Sequence, residues 1–283
     1  MLILTLIIST MIGIFDSGFG GLTCLKQIRQ VMPQYNYIFL GDNARAPYGT
    51  HSFPVVYQYT LQAVNYLFKY CNLVILACNT ASAKALRTIQ QNFIPATSTK
   101  RLLGVIRPTA EIIPQLTNNK HIGIFATPAT CESNSYPIEI HKIDPNIHIA
   151  QQPCPLFVPI IENSEHLNQG ADYFIKKYTQ QLLKQDPLID TILLACTHYP
   201  LLINKLQQFI PPNINIVTQD SIVANSLKNY LEKHTQLEQT LSKNHNTGQC
   251  TYLTTETPEN FTKGAEIFLK EKIKPIHIEL NQT

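Results

Sequence analysis

The sequence predicts an α/β protein of two similar, doubly wound α/β domains related by pseudo-twofold symmetry, with its site in the cleft between them. Three observations carry that prediction. The tetrapeptide IGIF stands at residues 12–15 and again at 122–125. Each half later carries an apolar run that ends in cysteine, ILAC at 75–78 and LLAC at 193–196. Short β-branched runs alternate with stretches of helical spacing along the chain, the pattern of parallel strands joined by crossover helices.

In chain order, residues 12–15, 37–40, 73–77, 103–106, 121–125, 147–150, 191–195 and 214–217 read as strands, because each is short, apolar and bounded by Gly, Asn or Asp. Their nearly continuous apolarity fits strands covered on both faces. Residues 22–31, 55–70 and 81–93 have helical spacing and lie between strands. The Pro-rich stretch 151–159 reads as an extended loop, and the polar stretch 236–248 as a surface connection.

A chain of 283 residues, 44% apolar, suits one large domain or two of ordinary size. A net charge of +3, with Lys and Arg scattered, lacks the clustered basic face of a nucleic-acid binder, so no nucleic-acid partner is expected. Seven cysteines make an odd count, with no C-x-x-C pair and no zinc-type Cys/His spacing. Neither a disulfide framework nor a metal is expected, and a reducing cytoplasmic setting fits. The opening MLILTLIISTMIGIF is apolar but shorter than a membrane span and lacks the charged start and cleavage site of a signal peptide. No membrane association is expected, and Met11 is the expected true start.

Ligands of open α/β sheets bind beyond the carboxyl ends of the strands. Four such ends carry small polar groups: Asp16-Ser17-Gly18, residues 42–49 (DNARAPYG), Cys78-Asn79-Thr80 and Cys196-Thr197-His198. Helix N-termini there would offer free N–H groups to a carboxylate, with hydroxyls added by Ser17, Thr80 and Thr197. The glycines of DSGFGG (16–21) lack the G-x-G-x-x-G spacing of a dinucleotide site and read as a tight strand-to-helix turn. A lone unpaired cysteine is most often a small buried hydrophobe. Cys78 and Cys196 differ in occupying matched places in two similar halves, as a chemistry with two groups facing one reactant would need.

The blocks IGIFDSGFGGL (12–22), GDNARAPYG (41–49), ACNTASA (77–83), CPLFVPIIE (154–162) and ACTHYPLL (195–202) resemble bacterial glutamate racemase, within the wider aspartate/glutamate racemase family. TYLTTETPENFTKGAEIFL (251–269) is similar to that family's closing segment. The resemblance implies an isomerase that inverts glutamate without a cofactor, one cysteine thiolate removing the α-proton and the other thiol delivering a proton to the opposite face. It implies Cys78 and Cys196 as the acid/base pair, with Asp16 assisting Cys78, and His198 and Glu162 assisting Cys196. Substrate contacts are implied at Asp16, Ser17, Tyr48, Gly49, Asn79, Thr80, Thr197 and His198. It further implies D-glutamate supply for peptidoglycan, and two lobes, residues 1–104 with 217–283 and residues 105–216. A homodimer is admitted without being required.

A free thiol titrates near pH 8.5, so neighbouring groups can set one thiol and one thiolate at once, as inversion requires. Ala195 and Ala126 depart from the family pattern, which has Gly and Gly-Thr there, and each adds a methyl near a turn. Cys24, Cys71, Cys131, Cys154 and Cys250 read as structural, Cys131 being the one placed to approach the cleft. Two other readings stay open. An aspartate racemase would share the mechanism but resembles C-T-E at the second cysteine, where this chain has Cys-Thr-His. A non-catalytic amino-acid sensor would have no need of two thiols.

Overall fold

The computed structural model describes residues 10–244 and 247–280. The expectation about the true start concerns residues 1–9, which lie outside the described residues. The first half runs β1 (Met11–Asp16), α1 (Gly21–Val31), β2 (Tyr37–Gly41), α2 (Phe53–Leu67), β3 (Cys71–Leu76), α3 (Asn79–Lys84), α4 (Leu86–Asn92) and β4 (Arg101–Gly104). The second runs α5 (Ile106–Ile112), β5 (His121–Ala126), α6 (Pro128–Glu132), α7 (Ser135–His141), β6 (His148–Pro153), α8 (Phe157–Glu162), α9 (Gly170–Gln185), β7 (Thr191–Ala195), α10 (Ile203–Phe209) and β8 (Asn215–Val217). The chain then passes through α11 (Asp220–Lys233) and α12 (Thr235–Glu238). It adds β9 (Cys250–Thr254), α13 (Pro258–Leu269) and β10 (Ile276–His277) to the first sheet.

The duplication read in the sequence reappears as topology. The first sheet has the order β10-β9-β2-β1-β3-β4 and the second β6-β5-β7-β8, so β2-β1-β3-β4 and β6-β5-β7-β8 repeat one arrangement. All the paired strands are parallel. The IGIF segments are the matched strands β1 and β5, and the cysteine-ended runs are their neighbours β3 and β7. Residues alternate between faces: Leu73 and Ile75 of β3 join one buried cluster with α1, α11 and α13, while Val74 and Leu76 join another with α2. Both faces of each strand are thus apolar, and burying each Leu or Ile contributes about 1.5–3 kcal/mol. The first of these clusters continues into α8, α9 and α10, so the two halves share a core.

Several elements differ from the sequence reading. The helix expected over 81–93 is two, broken at Ala85. Ala81, Ala85 and Ile89 are all buried in one cluster, so helical periodicity runs straight across the break and hides it. The expected loop 151–159 is half strand: Gln151 and Gln152 pair with Ile124 and Phe125 in β6, and α8 follows. An edge strand tolerates Pro and polar residues, which is why this one reads as a loop. Strands β9 and β10 were not expected, because Cys-Thr-Tyr-Leu-Thr and a two-residue strand carry little periodic signal. Within 236–248, Leu241 bridges Thr10 and Lys243 bridges Tyr35, which ties down this connection. Ala126 and Ala195, the two departures from the family pattern, are register partners between β5 and β7, and both are fully buried.

Candidate active site

Cys78 and Cys196 lie immediately beyond the carboxyl ends of β3 and β7, and both line one cavity. The other walls come from Ser17 after β1, from Tyr48 and Gly49 in a short 3-10 turn, from Asn79 and Thr80 opening α3, and from Thr197, His198 and Glu162. Every candidate named from the sequence lines this cavity except Asp16, which is fully buried behind Ser17. The cavity measures about 30 Å³. That admits a water or two but not an amino acid. A larger cavity, about 730 Å³ and lined by Lys84, Arg87, Arg107 and Glu139, contains neither thiol.

The hydrogen-bond partners of Cys78 are neutral and close. Its S–H donates to Ser17 Oγ at 3.3 Å, and the Ala81 N–H donates to its sulfur at 3.4 Å, so the thiol caps α3. Burial, then the charge of Asp16, pushes this thiol up to about 12, against the opposing pull of the Ser17 and Ala81 hydrogen bonds. No hydrogen bond joins Asp16 to Cys78 directly. The carboxylate accepts from the Gly18 N–H at 2.9 Å and from Thr197 Oγ1 at 3.5 Å, so it links the loop after β1 to the Cys196 loop. Burial raises Asp16 above the usual carboxylate range, opposed by the nearby His198 charge and by the Gly18 and Gly21 N–H groups.

Around Cys196 the groups form a charged chain. His198 Nδ1 lies 3.9 Å from Cys196 Sγ, and its Nε2 lies 2.8 Å from Glu162 Oε1. Burial alone would lower the imidazole, but the hydrogen bonds to Cys196 and Glu162 outweigh it and hold it up at about 10. An imidazolium there can hand over a proton or neutralise negative charge developing on Cys196 Sγ. Glu162 therefore reaches Cys196 only through His198. Phe268 of α13 packs edge-on against the imidazole at 5.2 Å between centroids, so the returning C-terminal segment helps to fix the ring.

The glycines after β1 serve close approach. Residues 17–20 are the short turn from β1 to α1, but no glycine among the described residues has a positive φ, so close approach rather than a left-handed backbone calls for glycine there. A methyl on Gly20 would collide with His198 Nδ1 and Thr197 Oγ1, and one on Gly18 would come within 3.3 Å of Glu162 Oε1. Gly49 likewise leaves room for Thr127, whose Cβ would be 2.8 Å from an added methyl. The expected ring of helix N-termini is weaker than the sequence suggested: α3 has six residues, and four residues of 3-10 helix follow His198.

Tyr48 presents its ring to the cavity while its hydroxyl donates to Asp42, a fully buried carboxylate also held by Arg45 Nε at 2.7 Å and Thr255 Oγ1 at 2.8 Å. Thr80 Oγ1 shares a hydrogen bond of 3.0 Å with Thr127 across the two halves. Sequence reasoning missed Asp42, Thr127, Tyr136 and Gln219, and took the cavity-lining Cys154 as structural. Asp42 and Cys154 lay within quoted blocks; Thr127, Tyr136 and Gln219 carry no local signal. Among the described residues no helix is long and apolar enough to cross a membrane, and no cluster of His, Cys, Asp and Glu could hold a metal ion.

Two parallel-sheet halves with a pair of free thiols lining one cavity define the class of the site, an α/β isomerase, and comparison with known proteins gives the same class. The Asp/Glu/Hydantoin racemase family model matches residues 22–223. Glutamate racemase of Roseobacter denitrificans is 36% identical over 274 residues, covering 93% of this chain and 98% of that one. The crystal structure of a glutamate racemase isoform from Bacillus anthracis superposes with a TM-score of 0.87 at 28% identity, covering 96% of this chain and 98% of that chain. That of Francisella tularensis glutamate racemase in complex with D-glutamate gives 0.85 at 29% identity, covering 97% and 99%. The chain belongs to the Asp/Glu/hydantoin racemase family.

Proposed function

We propose that this protein interconverts L- and D-glutamate by a cofactor-free, two-base mechanism in which Cys78 and Cys196 act on opposite faces of Cα. The observation that carries the reading is two free thiols at matched strand ends, lining one cavity, one of them beside the His198–Glu162 pair. In one direction the thiolate of one cysteine takes the α-proton, its S–H bond forming as the C–H bond breaks. The carbanion takes the S–H proton of the other cysteine on its far face. The site ends with thiol and thiolate exchanged, ready for the reverse reaction until solvent resets it.

The α-proton is very weakly acidic, so the carbanion needs preorganised donors in a site that excludes water. Ser17, Asn79, Thr80 and Thr197 are the polar groups available, with the Tyr48-Gly49 turn completing the wall. In this reading Asp16 assists Cys78 through its charge rather than through a hydrogen bond, and the Glu162–His198 pair exchanges a proton with Cys196. Cys-Thr-His at the second cysteine favours glutamate over aspartate, as do relatives named glutamate racemase. Initial rates on both amino acids test this choice: faster turnover of aspartate would overturn it.

The distribution of strands between the two sheets supports lobes of residues 1–104 with 217–283 and 105–216, save that Val217 pairs with Leu193 and so goes with the second lobe. The D-glutamate made would serve peptidoglycan synthesis in the cytoplasm, a reading that rests on the family resemblance. Deleting the gene should then make growth depend on supplied D-glutamate, and unimpaired growth without it would contradict this role.

A further inference from the structure

Behind the cavity a buried ring of hydrogen bonds ties the start of α3 to the other half. Asn79 Nδ2 donates to Gln219 Oε1 at 2.8 Å, Gln219 Nε2 donates to the Tyr136 hydroxyl, and that hydroxyl donates to Asn79 Oδ1 at 2.6 Å. Gln219 Nε2 also donates to Thr109 Oγ1 at 2.9 Å. All four side chains are buried: Tyr136 and Thr109 at 0% exposure, Asn79 at 2% and Gln219 at 6%. They come from α3, α5, α7 and the turn before α11, so the ring closes only when those elements are docked.

Its direction is determined by Thr109. That hydroxyl donates its single proton to the Val105 carbonyl at 2.8 Å, so it offers Gln219 only lone pairs. Gln219 must therefore turn its NH2 toward Thr109 and Tyr136, and its oxygen toward Asn79. Asn79 must then present its NH2 to Gln219 and its oxygen to Tyr136. With both amides oriented, every donor in the ring meets an acceptor, and one N–H of Asn79 is left over beside the cavity that Asn79 lines.

Resting on the racemase reading above, we infer that Tyr136, Gln219 and Thr109 are positioning residues that fix which way the Asn79 amide faces beside Cys78. None of the three lines the cavity. They act through Asn79: losing the Thr109 lone pairs or the Tyr136 proton lets the amides rotate, and Asn79 then turns its oxygen where substrate needs a donor. A misplaced contact of this kind costs about tenfold or more in rate.

The experiment measures kcat/KM for D- and L-glutamate with the full chain carrying Thr109→Val, Thr109→Ser, Tyr136→Phe or Gln219→Met, alone and combined with Asn79→Ala. Thr109→Val is nearly isosteric but removes the hydroxyl, whereas Thr109→Ser keeps it. Expected is a loss of about tenfold for Thr109→Val and Tyr136→Phe, near-wild-type activity for Thr109→Ser, and no further loss from any of them once Asn79 is alanine. Undiminished activity in Thr109→Val, equal losses in the Val and Ser variants, or full additivity with Asn79→Ala would each overturn the inference. Should Tyr136→Phe fail to fold, the Val/Ser pair decides alone. If the wild-type chain leaves glutamate unchanged, the racemase reading fails. The ring is then judged by unfolding free energies of the Asn79→Ala and Gln219→Met single and double variants, where additivity rejects it.

Discussion

At the scale of single residues, the site is two thiols with unlike neighbours. Cys78 sits among neutral hydrogen-bonding groups and near a buried carboxylate, and is held as a thiol at neutral pH, while Cys196 adjoins an imidazole held protonated up to about pH 10. Replacing Cys78 or Cys196 with Ser should lower turnover by at least about 10³-fold with folding nearly intact, since a serine hydroxyl is far too weak an acid for either role. Turnover of either variant at the wild-type rate would remove that residue from the mechanism. His198→Asn should slow one direction more than the other, and equal slowing would leave its pairing with Cys196 unsupported. The same groups predict how stability depends on pH. His198 titrates near 6.5 when unfolded and near 10 when folded, so its contribution is complete below pH 6.5 and is lost as pH rises toward 10. Cys78, raised from 9 to about 12, adds a further loss above pH 9. Urea denaturation should therefore show falling stability from pH 6.5 to 10, with a flatter profile in His198→Asn. A profile that rises or stays level in the wild type would contradict these shifts.

At the scale of elements, the loop after β1 is shaped by what approaches it. Gly20→Ala would push a methyl into His198 and Thr197, so it should cost about 1–3 kcal/mol in stability and displace the His198 ring, lowering activity more than Gly170→Ala, where an added methyl meets nothing. Equal, small effects of the two substitutions would contradict the close approach. How much of this was legible follows from what each element announces locally. IGIF and the cysteine-ended runs announced themselves because a buried parallel strand needs continuous apolar residues, and duplication printed that pattern twice. Strand β6 was hidden because an edge strand can be polar and proline-containing. The break at Ala85 was hidden because its flanking residues keep one buried face. The pair Asn79 and Gln219 is separated by 140 positions in sequence, and Asn79 and Tyr136 by 57, so only folding brings them together. Glycine 20 was visible as a residue but not as a reason, since its partner is a side chain of the other half.

For the whole molecule, the repeated strand order places one thiol just beyond the carboxyl end of an interior strand of each sheet, and the cavity between them is too small for glutamate as the halves stand. The walls of the cavity must therefore move to admit substrate. Lys84–Glu132 at 2.6 Å and Arg87–Glu139 at 2.8 Å span the two halves, but Glu132 and Arg87 are well exposed, and solvent screens such pairs so that they hold the halves only weakly. The buried ring through Asn79 and the shared core are the firmer ties. Glutamate should slow backbone hydrogen exchange at Asn79–Lys84 and Pro128–Glu132, which face each other across the cleft, and unchanged exchange there would argue against closure on substrate. The central claim, that two groups work on opposite faces of one carbon, is tested most directly by following Cα labelling in heavy water from each pure enantiomer. Early in the reaction the newly formed enantiomer should carry one solvent deuterium while the remaining starting enantiomer keeps its proton. Equal labelling of both enantiomers from the outset would point to a single base, and absence of any label would remove proton transfer from the account altogether.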